Sequence, residues 1–235
     1  MSRWRSDKLG NFIELKRGYD LPQKERIDGS VPIVSSPGIS GRHNQAMVKG
    51  PGVVTGRYGT IGEVFYVVDD FWPLNTTLYV RDFKGNDPRF VSYLLRTVDF
   101  NAYSDKGAVP GVNRNHLHEA QIFFPERQEQ KRIANILATL DDKIELNQRL
   151  CETLEAIAQA LFQSWFVDFD PVRAKASGET PDSICQRLGL TPELLAMFPD
   201  RLVDSELGEI PEGWEAGIFG DAVEIFDSKR VPLSN

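Results

Sequence analysis

Apolar residues in the first 125 positions cluster in short runs, whereas between 126 and 166 they recur every three or four residues. The runs VPIVSS (31–36), GVVTGR (52–57), GEVFYVV (62–68) and TTLYVRDF (76–83) are rich in β-branched and aromatic residues. PGISG, KGPG, RYGTIG and WPLN separate them, which predicts strands joined by tight turns. PRFVSYLLRTVDF (88–100) has the spacing of a helix, opened by Pro88 after Asp87, and AQIFFP (120–125) reads as a last strand. The fold class is therefore α+β: a strand-rich mixed globular domain over 1–125, followed by a long helix of coiled-coil type.

That helix is predicted over 126–166, since no Gly or Pro intervenes between Pro125 and Pro171. At ~1.5 Å per residue it would be a rod of about 60 Å. Ile133, Leu137, Leu140, Ile144, Leu154, Leu161 and Trp165 lie on one seam, in which Asn147 and Cys151 fill the intervening places. A polar residue such as Asn147 within an apolar seam fixes register and partner choice. Ile136, Leu150, Ile157, Phe162 and Phe166 form a second stripe, wider than a two-stranded zipper needs. A compact domain cannot cover so long a rod, so the helix is expected to meet another chain or another copy. Beyond it, 167–213 reads as a polar connector with one short helix at TPELLAMF (191–198), capped by Thr191 with Pro192 at its first position.

The opening of the chain recurs near its end. Trp4, Leu9, Gly10, Asn11, Ile13, Glu14 and Leu15 are matched by Trp214, Phe219, Gly220, Asp221, Val223, Glu224 and Ile225, each 210 positions later. An interval this long is not a solenoid period, which runs at about 20–50 residues. It implies a two-copy architecture, with 214–235 as the opening strand of a second, truncated domain.

Composition changes the picture in two ways. Net charge is −7, yet residues 1–125 hold 16 Lys+Arg against 13 Asp+Glu, and the remainder holds 11 against 21. This asymmetry permits a polyanion partner at the front without requiring one. Two cysteines, Cys151 and Cys185, make no disulfide framework, and nothing approaches the roughly 20 apolar residues of a membrane span. A cytoplasmic location is expected.

At this point the residues carry a resemblance. ERQEQKRIANILATLDDKIELNQRLCETLEAIAQALFQSWFVDFDPVRAK resembles the first central helix of the DNA-specificity subunits of type I restriction–modification systems, and LGEIPEGWE resembles the lead-in to their second target-recognition domain. VTGRYGTIGEVFYV, FWPLNTTLYV and KGAVPGVNRNHLHEAQIFFP are similar in outline to a first target-recognition domain. The resemblance implies a non-catalytic reader of one half of a bipartite target in double-stranded DNA. Its helix would dock methyltransferase (modification) subunits, with motor/nuclease (restriction) subunits as further partners. A chain with one head and one helix would rebuild the two-headed object as a homodimer with antiparallel helices.

No catalytic set is visible. Asn86-Asp87-Pro88-Arg89 and Asp168-Phe169-Asp170-Pro171 lack the second proline and the aromatic of an adenine-methylation loop, and no GxxxxGK[ST] occurs. The three histidines, His43, His116 and His118, fit surface or capping roles, with His116 and His118 on one face of a strand; no metal and no cofactor are implied. Base-reading candidates are long polar side chains on loops. Ser35, Ser36, Gly38, Ser40, Arg42, His43 and Asn44 lie in one such loop; Lys106, Asn113, Arg114 and Asn115 lie in a second, and Arg57 and Tyr58 in a third. Arg suits guanine, Asn suits adenine, and Ser and Gly amides suit phosphates. Two alternatives stay open: a protein-binding coiled-coil scaffold, and the specificity subunit of another restriction–modification class.

Overall fold

The computed structural model describes residues 4–104, 111–206 and 208–223. They fall into two compact units, divided inside the long helix between Ile144 and Glu145.

The N-terminal unit is strand-rich. Its strands are β1 (Arg5–Lys8), β2 (Glu14–Arg17), β3 (Val31–Ser35), β4 (Gly38–His43), β5 (Gly52–Gly56), β6 (Val64–Val67), β7 (Trp72–Pro73), β8 (Thr77–Asp82) and β9 (Gln121–Phe124). An antiparallel sheet runs in the order β2–β8–β5–β6, a smaller sheet in the order β4–β3–β7, and β1 pairs with β9. Helices α1 (Leu9–Phe12), α2 (Pro88–Arg96) and α3 (Arg114–His118) complete the unit, and α4 (Arg127–Phe162) leaves it.

Strand β5 explains the continuous apolar run at GVVTG. Successive strand side chains point to opposite faces. Val53, with Leu78 and Val80 of β8, therefore packs into a core with Leu9, Ile13, Val91, Leu95 and Leu117. On the other face Val54 and Tyr79 pack with Val34 and Phe71. Both faces of β5 are covered, so the alternation expected of a half-exposed strand is lost.

Helix α2 starts where Asp87 and Pro88 predict. The Asp87 side chain accepts from the Phe90 amide at 2.9 Å, Pro88 occupies the first turn, and Phe90, Val91 and Leu95 are buried. The Asp87 amide donates in turn to Gln130 Oε1 at 3.1 Å, and Gln130 Nε2 donates to Asn86 Oδ1 (2.9 Å) and to the Pro125 carbonyl (3.0 Å). Gln130 is fully buried, so this amide ties the first turn of α4 to the start of α2. About three turns farther along α4, Tyr93 donates to Asp141 (2.6 Å) and Arg89 pairs with Asp142 (3.5 Å).

Helix α4 has 36 residues, about 54 Å at ~1.5 Å per residue, and passes into a π-helical turn at Gln163–Val167. Only Gln130 and Ala134 on it are buried. Leu140, Ile144, Leu146, Leu150, Leu154 and Ile157 are each half-exposed or more.

The connector is more ordered than its polarity implies. Helices α5 (Asp170–Ala176), α6 (Pro181–Leu188) and α7 (Pro192–Ala196) pack Ala174, Ile184, Leu190 and Leu195 into a small core with Trp165 and Phe198. Thr191 caps α7, as its sequence indicates. A hairpin of β10 (Leu202–Ser205) and β11 (Gly208–Pro211) follows.

The recurrence of the chain's opening has a structural counterpart. Leu9–Phe12 forms the one-turn helix α1, and residues 210 positions later form a one-turn helix of equal length, α8 (Phe219–Ala222). The residues after them, Ile13 and Val223, are both extended, at φ −141° and −131°. A helical turn thus occupies the matched positions in both segments. Leu9 is 0% exposed against the N-terminal core, whereas Phe219 is 78% exposed. The counterpart of β2 lies outside the described residues.

Candidate nucleic-acid interface

Two segments that are distant in sequence are hydrogen-bonded to each other beside the end of β5. The Val112 amide donates to the Arg57 carbonyl at 3.0 Å, and Arg57 Nε donates to the Val112 carbonyl at 3.4 Å. Tyr58 bridges to Gly111, and the Arg57 guanidinium lies over the Tyr58 ring, 4.5 Å from its centroid. A Cβ on Gly111 would collide with that ring, so only glycine admits this approach. Asn113 then caps α3, its side chain accepting from the Asn115 amide at 2.9 Å. That cap delivers Arg114 to the same neighbourhood.

Arg17 arrives from the other side. It is paired across β2 and β8 with Leu78, whose partner on β5 is Thr55. The result is a pocket of about 320 Å³ lined by Arg17, Arg57, Leu78, Asn113 and Arg114. Arg17 has one acidic partner, Asp20, at 3.7 Å. Among the described residues neither Arg57 nor Arg114 has an ion-pair partner. His118, one turn beyond Arg114, accepts from the Leu15 amide through Nε2 at 3.0 Å. Burial pushes its pKa down, and the charges of Arg114 and Lys84 push it further, so the ring is held neutral.

The SSPGISGRHN segment folds otherwise than its glycines imply. It is a hairpin, and most of what was expected to be loop is β4. Four of its candidates are buried in the fold itself: Ser35, Ser36, Gly38 and His43. Ser35 Oγ donates to the Gly38 carbonyl and Ser36 Oγ to the Thr76 carbonyl. The His43 ring accepts from the Ile27 amide at 3.1 Å and abuts Trp72, so it is a core residue rather than a surface one. Ser40, Arg42 and Asn44 stay exposed. Arg42 donates to the Ser30 carbonyl at the end of β4 away from the turn, roughly 17 Å along a strand rising ~3.4 Å per residue. The turn itself adjoins the pocket: Ser36 and the Arg57 amide bond the same Thr76 carbonyl.

Arg57, Tyr58, Asn113 and Arg114 are thus brought together, Asn115 is exposed on α3, and Lys106 lies outside the described residues. His116 and His118 lie on helix α3, not on a strand. Arg17 was missed by sequence reasoning, although the Lys16-Arg17-Gly18 step at a strand end was a signal for it. Along α4, Ile133 packs against the N-terminal core and Trp165 joins the core around Ile184, so both face their own unit. Leu137 and Leu161 are half-buried; Leu140, Ile144, Asn147 and Leu154 are exposed. Among the described residues, no three His, Cys, Asp or Glu side chains form a metal site, and no helix is long and apolar enough to cross a membrane.

Comparison with known proteins agrees with this layout. Residues 1–156 match the family of the type I restriction modification DNA specificity domain. The chain is 33% identical over 186 residues to the type I restriction enzyme HindI specificity subunit of Haemophilus influenzae, covering 63% of this chain and 40% of that one. It is 28% identical over 167 residues to the MjaIX specificity subunit of Methanocaldococcus jannaschii, covering 68% of this chain and 33% of the relative. The chain therefore spans well under half the length of either relative. The crystal structure of a type I restriction–modification S subunit from M. genitalium shares the fold, with a TM-score of 0.54 and 18% identity over 79% of this chain and 48% of the other. Strand-rich head, long helix and family match together make this chain a member of the type I restriction–modification DNA specificity family.

Proposed function

We propose that the chain is a non-catalytic DNA sequence-recognition subunit of a type I restriction–modification complex, reading one half of a bipartite target through its N-terminal unit. The observation that carries this reading is the convergence of Arg17, Arg57 and Arg114 on one pocket, in a chain whose net charge is −7. A family of DNA-specificity domains supplies the partner that such a cationic patch fits. Exposed Ser40, Arg42 and Asn44 form a second candidate contact, and base readout belongs with Arg42, Asn44 and Asn115, whose side chains match guanine and adenine edges. Methyl transfer and ATP-dependent cleavage belong to partner subunits, and the cytoplasm is the place of action.

The half-exposed apolar positions of α4 support a second element of the reading. Exposed apolar stripes on a long helix mark an assembly surface. This one is assigned to docking methyltransferase subunits and to pairing with a second copy through antiparallel helices, with residues 214–235 opening a second domain. Rod length would then set half-site spacing geometrically.

DNA binding by the full chain tests the reading. Affinity for duplex should fall steeply as salt rises, since each neutralised phosphate releases counterions. A complex insensitive to salt would instead support the scaffold alternative. Enrichment of one base motif from a randomised duplex pool should accompany the salt response.

A further inference from the structure

The pocket beside β5 is peculiar in what it can offer a ligand. Its charged groups are three guanidiniums, and guanidinium is a donor with no accepting capacity. Asn113 brings a carboxamide, but its oxygen is already engaged by the Asn115 amide. What it has left is two N–H donors and one oxygen lone pair. Leu78 is fully buried at the base and accepts nothing. The side-chain lining is therefore dominated by donors, over about 320 Å³.

This matters for what can enter. In the major groove of DNA guanine N7/O6 and thymine O4 only accept, adenine pairs a donor with an acceptor, and cytosine only donates. Adenine N6 and cytosine N4 would bring donors to a lining whose one side-chain acceptor is the Asn113 oxygen. A guanine edge would satisfy one guanidinium by a bidentate contact and leave the other two facing each other without compensation. A phosphate brings several acceptor oxygens and a negative charge, which is what converging guanidiniums lack; Arg–phosphate pairs are also bidentate and charge-assisted. Local balance points the same way: Asp20, beside Arg17, is the single carboxylate ion-paired to any of the three arginines among the described residues.

We propose that Arg17, Arg57 and Arg114 together hold one backbone phosphate of the duplex, fixing the register of the head, while base reading falls to other residues. This deepens the DNA-recognition reading and rests on it. It also reverses the role that residue type alone would give Arg114, from a guanine reader to a clamp on the backbone. Arg57 is held for the task by its bond to Val112 and by the Tyr58 ring. Arg114 is set by the Asn113 cap and Arg17 by its strand register with Leu78. Three different elements thus position the three charges.

The test uses the full chain, with Arg17→Ala, Arg114→Ala and, because Arg57 also packs on Tyr58, the milder Arg57→Gln. Fluorescence anisotropy with a mixed-sequence duplex gives the slope of log affinity against log salt. Selection from a randomised duplex pool gives base preference. Because the three share one phosphate, each variant should lower the slope by at most about 0.9, weaken every sequence alike and leave the selected motif unchanged. Calorimetric titration with inorganic phosphate at constant ionic strength should show weak binding that each variant loses.

If a variant relaxes preference at one base position and keeps the wild-type slope, that arginine reads a base and the clamp is overturned. If all three keep both slope and motif, duplex binding lies elsewhere; phosphate heats lost in the variants would then mark a site for the free anion, which also overturns the clamp. A wild-type chain that holds no duplex at any salt overturns the recognition reading itself, and the clamp with it.

Discussion

Gln130 offers a sharp test of how the long helix is anchored, because one uncharged side chain makes three hydrogen bonds in a dry site. Gln130→Leu keeps the volume roughly constant and keeps helix propensity, since Leu and Gln rank close together. What it removes is the partner of the Asp87 amide, the Pro125 carbonyl and the Asn86 side-chain oxygen. A buried polar group left unsatisfied costs about 1–3 kcal/mol. Asn86 is only partly buried and can turn toward water, so two backbone groups set the scale, and the expected loss is about 2–6 kcal/mol. Against a typical stability of about 5–15 kcal/mol this is a large fraction.

The assay must report the N-terminal unit alone, since a whole-chain melt would mix two units. Amide hydrogen exchange of the β5 and β8 peptides, followed by mass spectrometry, gives their opening free energy directly. A loss below about 1 kcal/mol would refute the reasoning, because it would mean that water reaches these groups and the anchor is not dry. Gln130→Glu should be at least as damaging. It keeps an acceptor for Asp87 but loses both donors and places a carboxylate in a buried site.

Other outcomes follow from particular contacts. Gly111→Ala should displace the Tyr58 ring and with it Arg57, weakening duplex binding several-fold while thermal stability of the C-terminal unit is unchanged; unaltered affinity would separate that junction from DNA binding. His118 has a pKa lowered by burial and by nearby positive charge, so the unfolded chain binds the extra proton first. Stability of the N-terminal unit should be fully present above the ordinary His value of about 6.5 and fall as pH drops below it. His118→Asn should flatten that part of the profile in urea titrations. Finally, Leu140→Asp with Leu154→Asp should leave helicity by circular dichroism intact, because both side chains are exposed, yet abolish self-association in sedimentation velocity; unchanged association would remove the stripe from the interface.

Much of this was legible along the chain. Apolar runs located β3, β5, β6, β8 and β9, and the run at β5 is continuous because both of its faces are covered. Asp87-Pro88 and Thr191-Pro192 located two helix starts, because capping and the fixed proline φ act within a single turn. The signal that Thr191-Pro192 gave was equally present at Asp170-Pro171 and Thr180-Pro181, where α5 and α6 begin. The long helix and the recurrence of the chain's opening also needed nothing beyond spacing, and the recurrence proved to be a matched pair of one-turn helices.

Tertiary structure alone decided the rest. GISGRH looks like a turn by its glycines, yet it is a strand because β3 supplies the hydrogen bonds that its own sequence does not demand. RNHLH is too short for periodicity and is a helix because Asn113 caps it and Leu117 is buried. Ser35, Ser36 and His43 carry the chemistry of a DNA contact, but their polar atoms face carbonyls and amides of the fold, and burial is a property of the packed chain. The converse holds for Arg17, Arg57 and Arg114, which stand 40 and 57 positions apart along the chain. Local physics fixes where elements start and stop; only long-range strand pairing brings three like charges together, where their repulsion calls for an anion.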